Sequence, residues 1–161
     1  MKDVVIYLNF DGNCREAMEF YQQCFGAELY LLSFSEVPGD LPKEAKEAPD
    51  RIMHATLRKG SPFLMAADIM PGGVVQQGNN FSVMIHCESP QEIERLFTAL
   101  GESGKVTMAL QETFWAGRFG ALTDKFGINW IFNLEKPNQS EPRPCGSDFA
   151  ECQGVPMKRC P

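Results

Sequence analysis

Residues 10–26, FDGNCREAMEFYQQCFG, set the reading of the whole chain. Asp11-Gly12 is turn chemistry, because Gly takes positive φ freely and Asp hydrogen-bonds its own backbone. Asn13 stands three residues ahead of Glu16, a capping-box-like arrangement with Asn in the Ser/Thr place. Ala17, Phe20, Tyr21, Cys24 and Phe25 then recur at helical spacing and form one apolar stripe. Gly26 is placed to stop the helix in a left-handed conformation. The stretch predicts a short capped helix over 14–25 whose apolar face lies on a flat partner.

The same unit recurs. Residues 81–86 (FSVMIH) are strand-like, and Ser89-Pro90-Gln91-Glu92 is a capping box with Pro at the first helical position. Ile93, Leu96, Phe97 and Leu100 repeat the stripe before Gly101. The caps Asn13 and Ser89 lie 76 residues apart, and a period this long seen twice predicts a duplicated module, not a solenoid.

Around these helices the chain reads as short strands. VVIYLNF (4–10) is β-branched and aromatic, and AELYLLSFS (27–35) follows the first helix. Residues 52–58 and 62–67 predict a hairpin turning at Lys59-Gly60-Ser61. Between them, residues 38–49 are polar with three prolines, either a lid over a site or a solvated insertion. The second half predicts strands at 81–86, 105–110, 117–123 and 128–134 around a helix at 90–100. Each half is therefore β-α-β-β-β, an α+β pattern with too few crossovers for a parallel sheet. The modules span 1–70 and 81–136, joined by a Gly- and Gln-rich linker at 71–80.

Residues 137–161, PNQSEPRPCGSDFAECQGVPMKRCP, carry five prolines and few large apolar groups, and predict a disordered tail. Cys145, Cys152 and Cys160 fall there at gaps of seven and eight, unlike the Cys-x-x-Cys spacing of zinc sites. A three-thiolate metal site and a core-less extension are the two readings, and the composition favours the second.

The bulk composition excludes several classes. With 161 residues, 43% hydrophobic and 22% charged, the chain suffices for one domain or two small modules sharing a core. A net charge of −6 without clustered Lys or Arg argues against nucleic acid. No apolar run reaches the length of a membrane span, and the first ten residues lack the regions of a signal peptide. The expectation is a cytoplasmic protein with reduced thiols. Cys14 and Cys24, ten positions apart on one helix and about 15 Å along it, cannot bridge each other.

LNFDGNCREAMEFYQQCFGAEL, MHATLRKGSPFLMAAD and QETFWAGRFGALTDKFGINWIFN, in this order, resemble the PhnB-like branch of the vicinal oxygen chelate superfamily. That superfamily also contains glyoxalase I, bleomycin-resistance proteins and extradiol dioxygenases. The resemblance covers about residues 3–136. It implies two βαβββ modules whose curled mixed sheets enclose a shared cavity, and a two-fold homodimer. In the superfamily's metalloenzymes, His or Glu ligands stand on the first and last strand of each module. The matching positions here are Ile6 or Tyr7, Ser82, Met65 or Ala66, and Ile131 or Phe132. None is a usual metal donor, so no metal site is expected, and no cofactor. Members of this branch also carry a ubiquinone-pathway methyltransferase label. The sequence offers no strand, Gly-rich turn and helix for adenosylmethionine, because Gly72-Gly73 lies in the linker.

Two residues are candidate acid–base groups. His54 shares a strand face with Thr56 and Arg58 and can act as a general base, or serve as a hydrogen-bonded structural histidine. Glu112, amid Phe114, Trp115 and Phe119, is expected to be partly desolvated and so a usable acid. Its alternative is a surface pair with Arg118, with Trp115 in the core. Trp115 and Phe119 offer flat walls for an aromatic ligand, while Tyr7 and Asn9 alternate outward from Leu8 and Phe10 and add a hydroxyl and an amide. Thr56 and Met84 complete the expected ligand-binding set, Met84 with Met65 and Met108 as adaptable packing. His86 reads as a polar strand end and Asp124 as a turn residue. The first expectation is a metal-free binder of a small apolar or aromatic molecule. The alternative is a small-molecule enzyme of the lyase, isomerase or dioxygenase type using Glu112 and His54.

Overall fold

The computed structural model describes residues 4–40 and 42–136. The tail and its three cysteines lie outside the described residues. The elements are β1 (Ile6–Phe10), α1 (Cys14–Phe25), β2 (Glu28–Ser33), α2 (Lys43–Glu47), β3 (Ile52–Lys59) and β4 (Ser61–Asp68) in the first half. The second half has β5 (Val83–Cys87), α3 (Pro90–Leu100), β6 (Lys105–Gln111), β7 (Arg118–Thr123) and β8 (Asn129–Leu134). Each half is a four-stranded mixed sheet, ordered β1-β4-β3-β2 and β5-β8-β7-β6. Its first and last strands run parallel and the remaining pairs antiparallel. The fold is α+β with two βαβββ modules of the glyoxalase/bleomycin-resistance type.

Period-two burial places α1. Leu8 and Phe10 on β1, Ala55 and Leu57 on β3, and Leu64 and Ala66 on β4 are buried on one sheet face, against Ala17, Met18 and Tyr21 of the helix. The outer part of the α1 stripe does a different job. Phe20 and Phe25 are only partly buried in their own module and meet Phe126 and Trp130 of the other at ring separations of 5.7 Å each. Gly26 ends α1 at φ 59°, its N–H donating to the Gln22 carbonyl at 2.8 Å.

The first cap differs from expectation. Asn13 makes no side-chain cap; Asp68, at the end of β4, reaches across instead. Its Oδ1 accepts the N–H groups of Gly12 (2.7 Å) and Cys14 (3.0 Å), and its Oδ2 accepts that of Ile52 (2.8 Å). A carboxylate from β4 thus takes the first amide of α1, Cys14 N–H, together with that of Gly12 in the turn before it, and places a negative charge at the helix N-terminus. Ser89 does cap α3 through Glu92 N–H at 3.2 Å, while the Glu92 carboxylate takes Glu88 N–H. Gly101 stays right-handed, and it is small because a Cβ would stand 2.8 Å from the Phe97 carbonyl oxygen. The 38–49 excursion carries the one-turn helix α2, anchored by buried Ala45.

A second buried carboxylate joins the modules. Asp124 Oδ2 accepts Tyr21 O–H from α1 and Trp130 Nε1–H from β8, each at 2.7 Å. Its Oδ1 accepts Phe126 N–H (2.9 Å) and Ile128 N–H (3.0 Å), the turn role its sequence predicts. Burial, then the Asp124 charge and hydrogen bond, hold the Tyr21 phenol far above its ordinary range. Arg95 of α3 adds a bond to the Cys24 carbonyl at 2.8 Å.

Candidate ligand-binding site

The sheet faces turned away from α1 and α3 carry the candidate residues. Strand register puts Tyr7 beside Met65, Met65 beside Thr56 and Thr56 beside Tyr30. Cross-strand neighbours point to the same side, so these four form one row on the open face, with Asn9 beside Ala67 in the next. In the second sheet the equivalent rows are Met84–Ile131–Ala121–Met108 and His86–Asn133–Phe119–Gln111. β6 reaches this register only through two irregularities, between Val106 and Met108 and between Met108 and Gln111.

The structure brings three first-module candidates together. His54 Nε2 lies 2.9 Å from Thr56 Oγ1, and its ring lies 6.2 Å from that of Tyr7. Thr56 is 4% exposed, so its hydroxyl is committed to His54, whereas Tyr7 is 48% exposed. Burial, then the nearby Cys14, raise the Tyr7 phenol above its usual range. Tyr7 and Asn9 also line a cavity of ≈ 760 Å³ along β1. Its other walls are the connector residues Val74, Gln76 and Phe81, and Phe126 in the turn before β8. Gln77 Nε2 pins that connector to the Phe126 carbonyl at 3.2 Å, and Asn129 Nδ2 to the Gly78 carbonyl at 3.3 Å. Val74 and Gln76 fall in the 71–80 stretch that the sequence shows only as a linker, and Phe81 falls at the start of the strand expected over 81–86, which the structure begins at Val83. The apolar side chains of Val74 and Phe81 are the one signal of the cavity that the sequence carries there.

The other candidates stand apart. Glu112 is solvent-exposed, its side chain 74% accessible and its carboxylate paired with Lys136 at 3.2 Å. This corrects two expectations: the group is not desolvated by Phe114, Trp115 and Phe119, and its partner is not Arg118. Arg118 pairs with Glu94 instead. The depression beside Glu112 is walled by Pro90, Arg118, Leu134 and Lys136, and His54 is not part of it. Trp115 is half-exposed, not in the core; it meets Phe114 edge-on at 4.4 Å and Phe119 at 6.1 Å. Met84, 48% exposed, borders a cleft between the modules. His86 lies 3.3 Å from Asn133 Nδ2 at the exposed strand end.

A divalent metal does not fit these residues. Tyr7 and Met65 stand at the first-module ligand row, and Met84 and Ile131 at the second. Ser82 is ahead of β5, and Met84 takes the place it was assigned. Among the described residues no three His, Cys, Asp or Glu side chains cluster as a metal site. Asp68 and Asp124 spend their oxygens on backbone, phenol and indole donors. Cys14, Cys24 and Cys87 are buried thiols whose pKa values burial raises, to about 11 for Cys24 and Cys87. Among the described residues, no Gly-rich turn leads from a strand into a helix in the way that cradles adenosylmethionine. Gly72 occupies a turn at φ 85° after β4, and no helix starts until Pro90.

Paired βαβββ modules with open-faced sheets define the glyoxalase/bleomycin-resistance/dioxygenase fold class, the fold of a glyoxylase/bleomycin resistance protein/dioxygenase domain from Frankia sp. that is 14% identical with a TM-score of 0.58, over 86% of this chain and 96% of that one. Within that class, the chain belongs to the family described as 3-demethylubiquinone-9 3-methyltransferase, whose profile matches residues 2–132. Protein YjdN of Escherichia coli is 38% identical over 143 residues, covering 84% of this chain and 97% of its own length. Protein PA1353 of Pseudomonas aeruginosa is 42% identical with a TM-score of 0.74, covering 84% of this chain and 98% of that one. The PhnB protein of Bacillus cereus, which carries the same methyltransferase name, is 27% identical with a TM-score of 0.63, over 83% of this chain and 99% of its own.

Proposed function

We propose that the protein binds a small, planar, largely uncharged molecule in the β1 cavity and does so without a metal ion. The observation that carries this reading is the cavity wall. Tyr7, Phe81 and Phe126 supply flat apolar surface, Asn9, Asn13 and Gln76 supply amide donors and acceptors, and the one carboxylate, Asp11, is neutralised by Arg51 at 2.8 Å. Such a lining rewards stacking and neutral hydrogen bonding and offers no net charge for an ionic ligand.

The family's name suggests methyl transfer. The absence of an adenosylmethionine cradle among the described residues argues for binding instead. The acid–base alternative loses its basis with the exposure of Glu112 and its pairing to Lys136. We further propose that the working unit is a homodimer in the reducing cytosol. The half-exposed Tyr30, Met84, Met108 and Trp115 on the open faces support a second copy as their cover.

The test is titration with the neutral naphthalene dye prodan, followed by a panel of neutral bicyclic aromatics that compete for it. Saturable binding weakened about tenfold by Phe81→Ala, with unchanged thermal stability, is expected. Absence of saturable binding across the panel, or binding indifferent to Phe81→Ala and Tyr7→Ala, would overturn the reading.

A further inference from the structure

The cleft between the two modules is a separate site, and its chemistry differs. Its walls are Phe25 from α1, Phe63 from β4, Val83 from β5, Leu96 from α3 and Trp130 from β8. Phe25 organises them, with its ring 5.5 Å from Phe63 and 5.7 Å from Trp130. The cleft encloses ≈ 290 Å³, about ten water volumes, or room for a chain of roughly eight to ten methylene-sized groups. Two cations stand in its lining. Lys59, at the tip of the β3–β4 hairpin, is exposed, and among the described residues no carboxylate lies within ion-pair distance of its ammonium. Arg95 donates one N–H to the Cys24 carbonyl at 2.8 Å and keeps further donors free of that bond. Glu92, the only acid in the lining, accepts the Glu88 amide with Oε2.

An apolar slot with an excess of positive charge and an uncompensated lysine selects an amphiphile with one anionic end. We propose that this cleft binds a medium-chain aliphatic monocarboxylate. The chain lies against Phe25, Phe63 and Trp130, and the carboxylate pairs with Lys59 and Arg95. The charge complementarity commits the site to an anion, where the β1 cavity has a neutral lining. The two sites share no wall residue, so either can fail without the other.

The experiment is isothermal titration of the full-length chain with decanoate, decanol and decyltrimethylammonium, at constant ionic strength. Decanoate is expected to bind at one site per chain, at least tenfold more tightly than decanol, with no saturable binding of the cationic amphiphile. Lys59→Glu, an exposed hairpin residue whose change spares the core, is expected to weaken decanoate at least tenfold and leave decanol unchanged. In a Trp115→Phe background the remaining Trp130 emission reports directly on the cleft and should shift with decanoate. Equal affinity for decanoate and decanol, indifference to Lys59→Glu, or binding without a Trp130 response would each overturn the proposal. So would loss of dimer on Lys59→Glu without decanoate binding, which would assign the cleft to an interface between copies of this chain.

Discussion

Replacing Asp124 by Asn tests how the two modules are held together. The substitution keeps the shape and exchanges one carboxylate oxygen for an amide NH₂. Oδ1 can continue to accept Phe126 and Ile128 N–H. At Oδ2 the amide would face Tyr21 O–H and Trp130 Nε1–H, both at 2.7 Å from the native oxygen and both buried. The phenol can rotate and accept, because a hydroxyl does both; the indole N–H is a donor only. One charge-assisted bond is therefore replaced by a neutral one, and the other by two opposed donors. At about 1.5–3 kcal/mol for a hydrogen bond to a charged group, plus the desolvated indole N–H left over, the loss is on the order of 3 kcal/mol. With a urea m-value of about 2 kcal/mol/M, the midpoint should fall by about 1.5 M. Tyr21→Phe should cost about 1–2 kcal/mol, and the double variant less than the sum of the two singles. A midpoint for Asp124→Asn within about 0.2 M of the parent, or strict additivity with Tyr21→Phe, would refute the joint as drawn.

Three further outcomes are expected. Gly120→Ala places a Cβ 2.8 Å from Leu110 Cδ2 and 3.0 Å from Phe97 Cε2, so overpacking should cost about 1–3 kcal/mol by chemical denaturation; a neutral effect would mean that β6 moves freely. Glu112→Gln removes an exposed pair with Lys136 and should change stability by less than about 1 kcal/mol and dye affinity not at all; a large loss of affinity would return Glu112 to the site. Stability should also fall in alkali. Burial raises the folded-state pKa values of Cys14, Cys24, Cys87 and Tyr21 above their unfolded ones. The native state then holds protons that the unfolded chain releases, so the contribution is whole below about pH 9 and declines above it. A urea midpoint constant to pH 11 would contradict this burial.

Helices α1 and α3 were legible because their signals are local: a cap or Pro at the start, a stripe at 3.6-residue spacing, and Gly at the end. The α1 and α3 ranges, Cys14–Phe25 and Pro90–Leu100, follow from those signals alone. The tight β3–β4 hairpin was legible from its Lys-Gly-Ser turn. What stayed hidden is long-range. Asp68 caps α1 across 54 residues, and nothing near Asn13 announces a replacement. One oxygen of Asp124 makes the turn that its sequence predicts, but the other reaches Tyr21 across 103 residues. Phe20 and Phe25 look like core of their own module yet bind the other one. In the candidate site, Tyr7 and Asn9 were found through strand alternation. Gln76 sits in a linker with no periodicity and Phe81 reads as the start of a strand, yet both line the cavity, beside the connector that Gln77 pins to the Phe126 carbonyl. Glu112 was misread because aromatic neighbours in sequence do not enclose a side chain that leaves the sheet toward Lys136.

The central claim is metal-independent binding in the β1 cavity. Its most direct test measures prodan affinity and elemental metal content on the same full-length sample, purified without chelator, before and after EDTA dialysis and again after incubation with Zn²⁺, Mn²⁺, Ni²⁺ and Fe²⁺. A chain ending at Asn138 serves as a control for the tail thiols. Substoichiometric metal in the shorter chain and a dissociation constant unchanged by EDTA or added metal in both are expected. Near-stoichiometric, chelator-sensitive metal in the shorter chain, with binding lost on its removal, would contradict it.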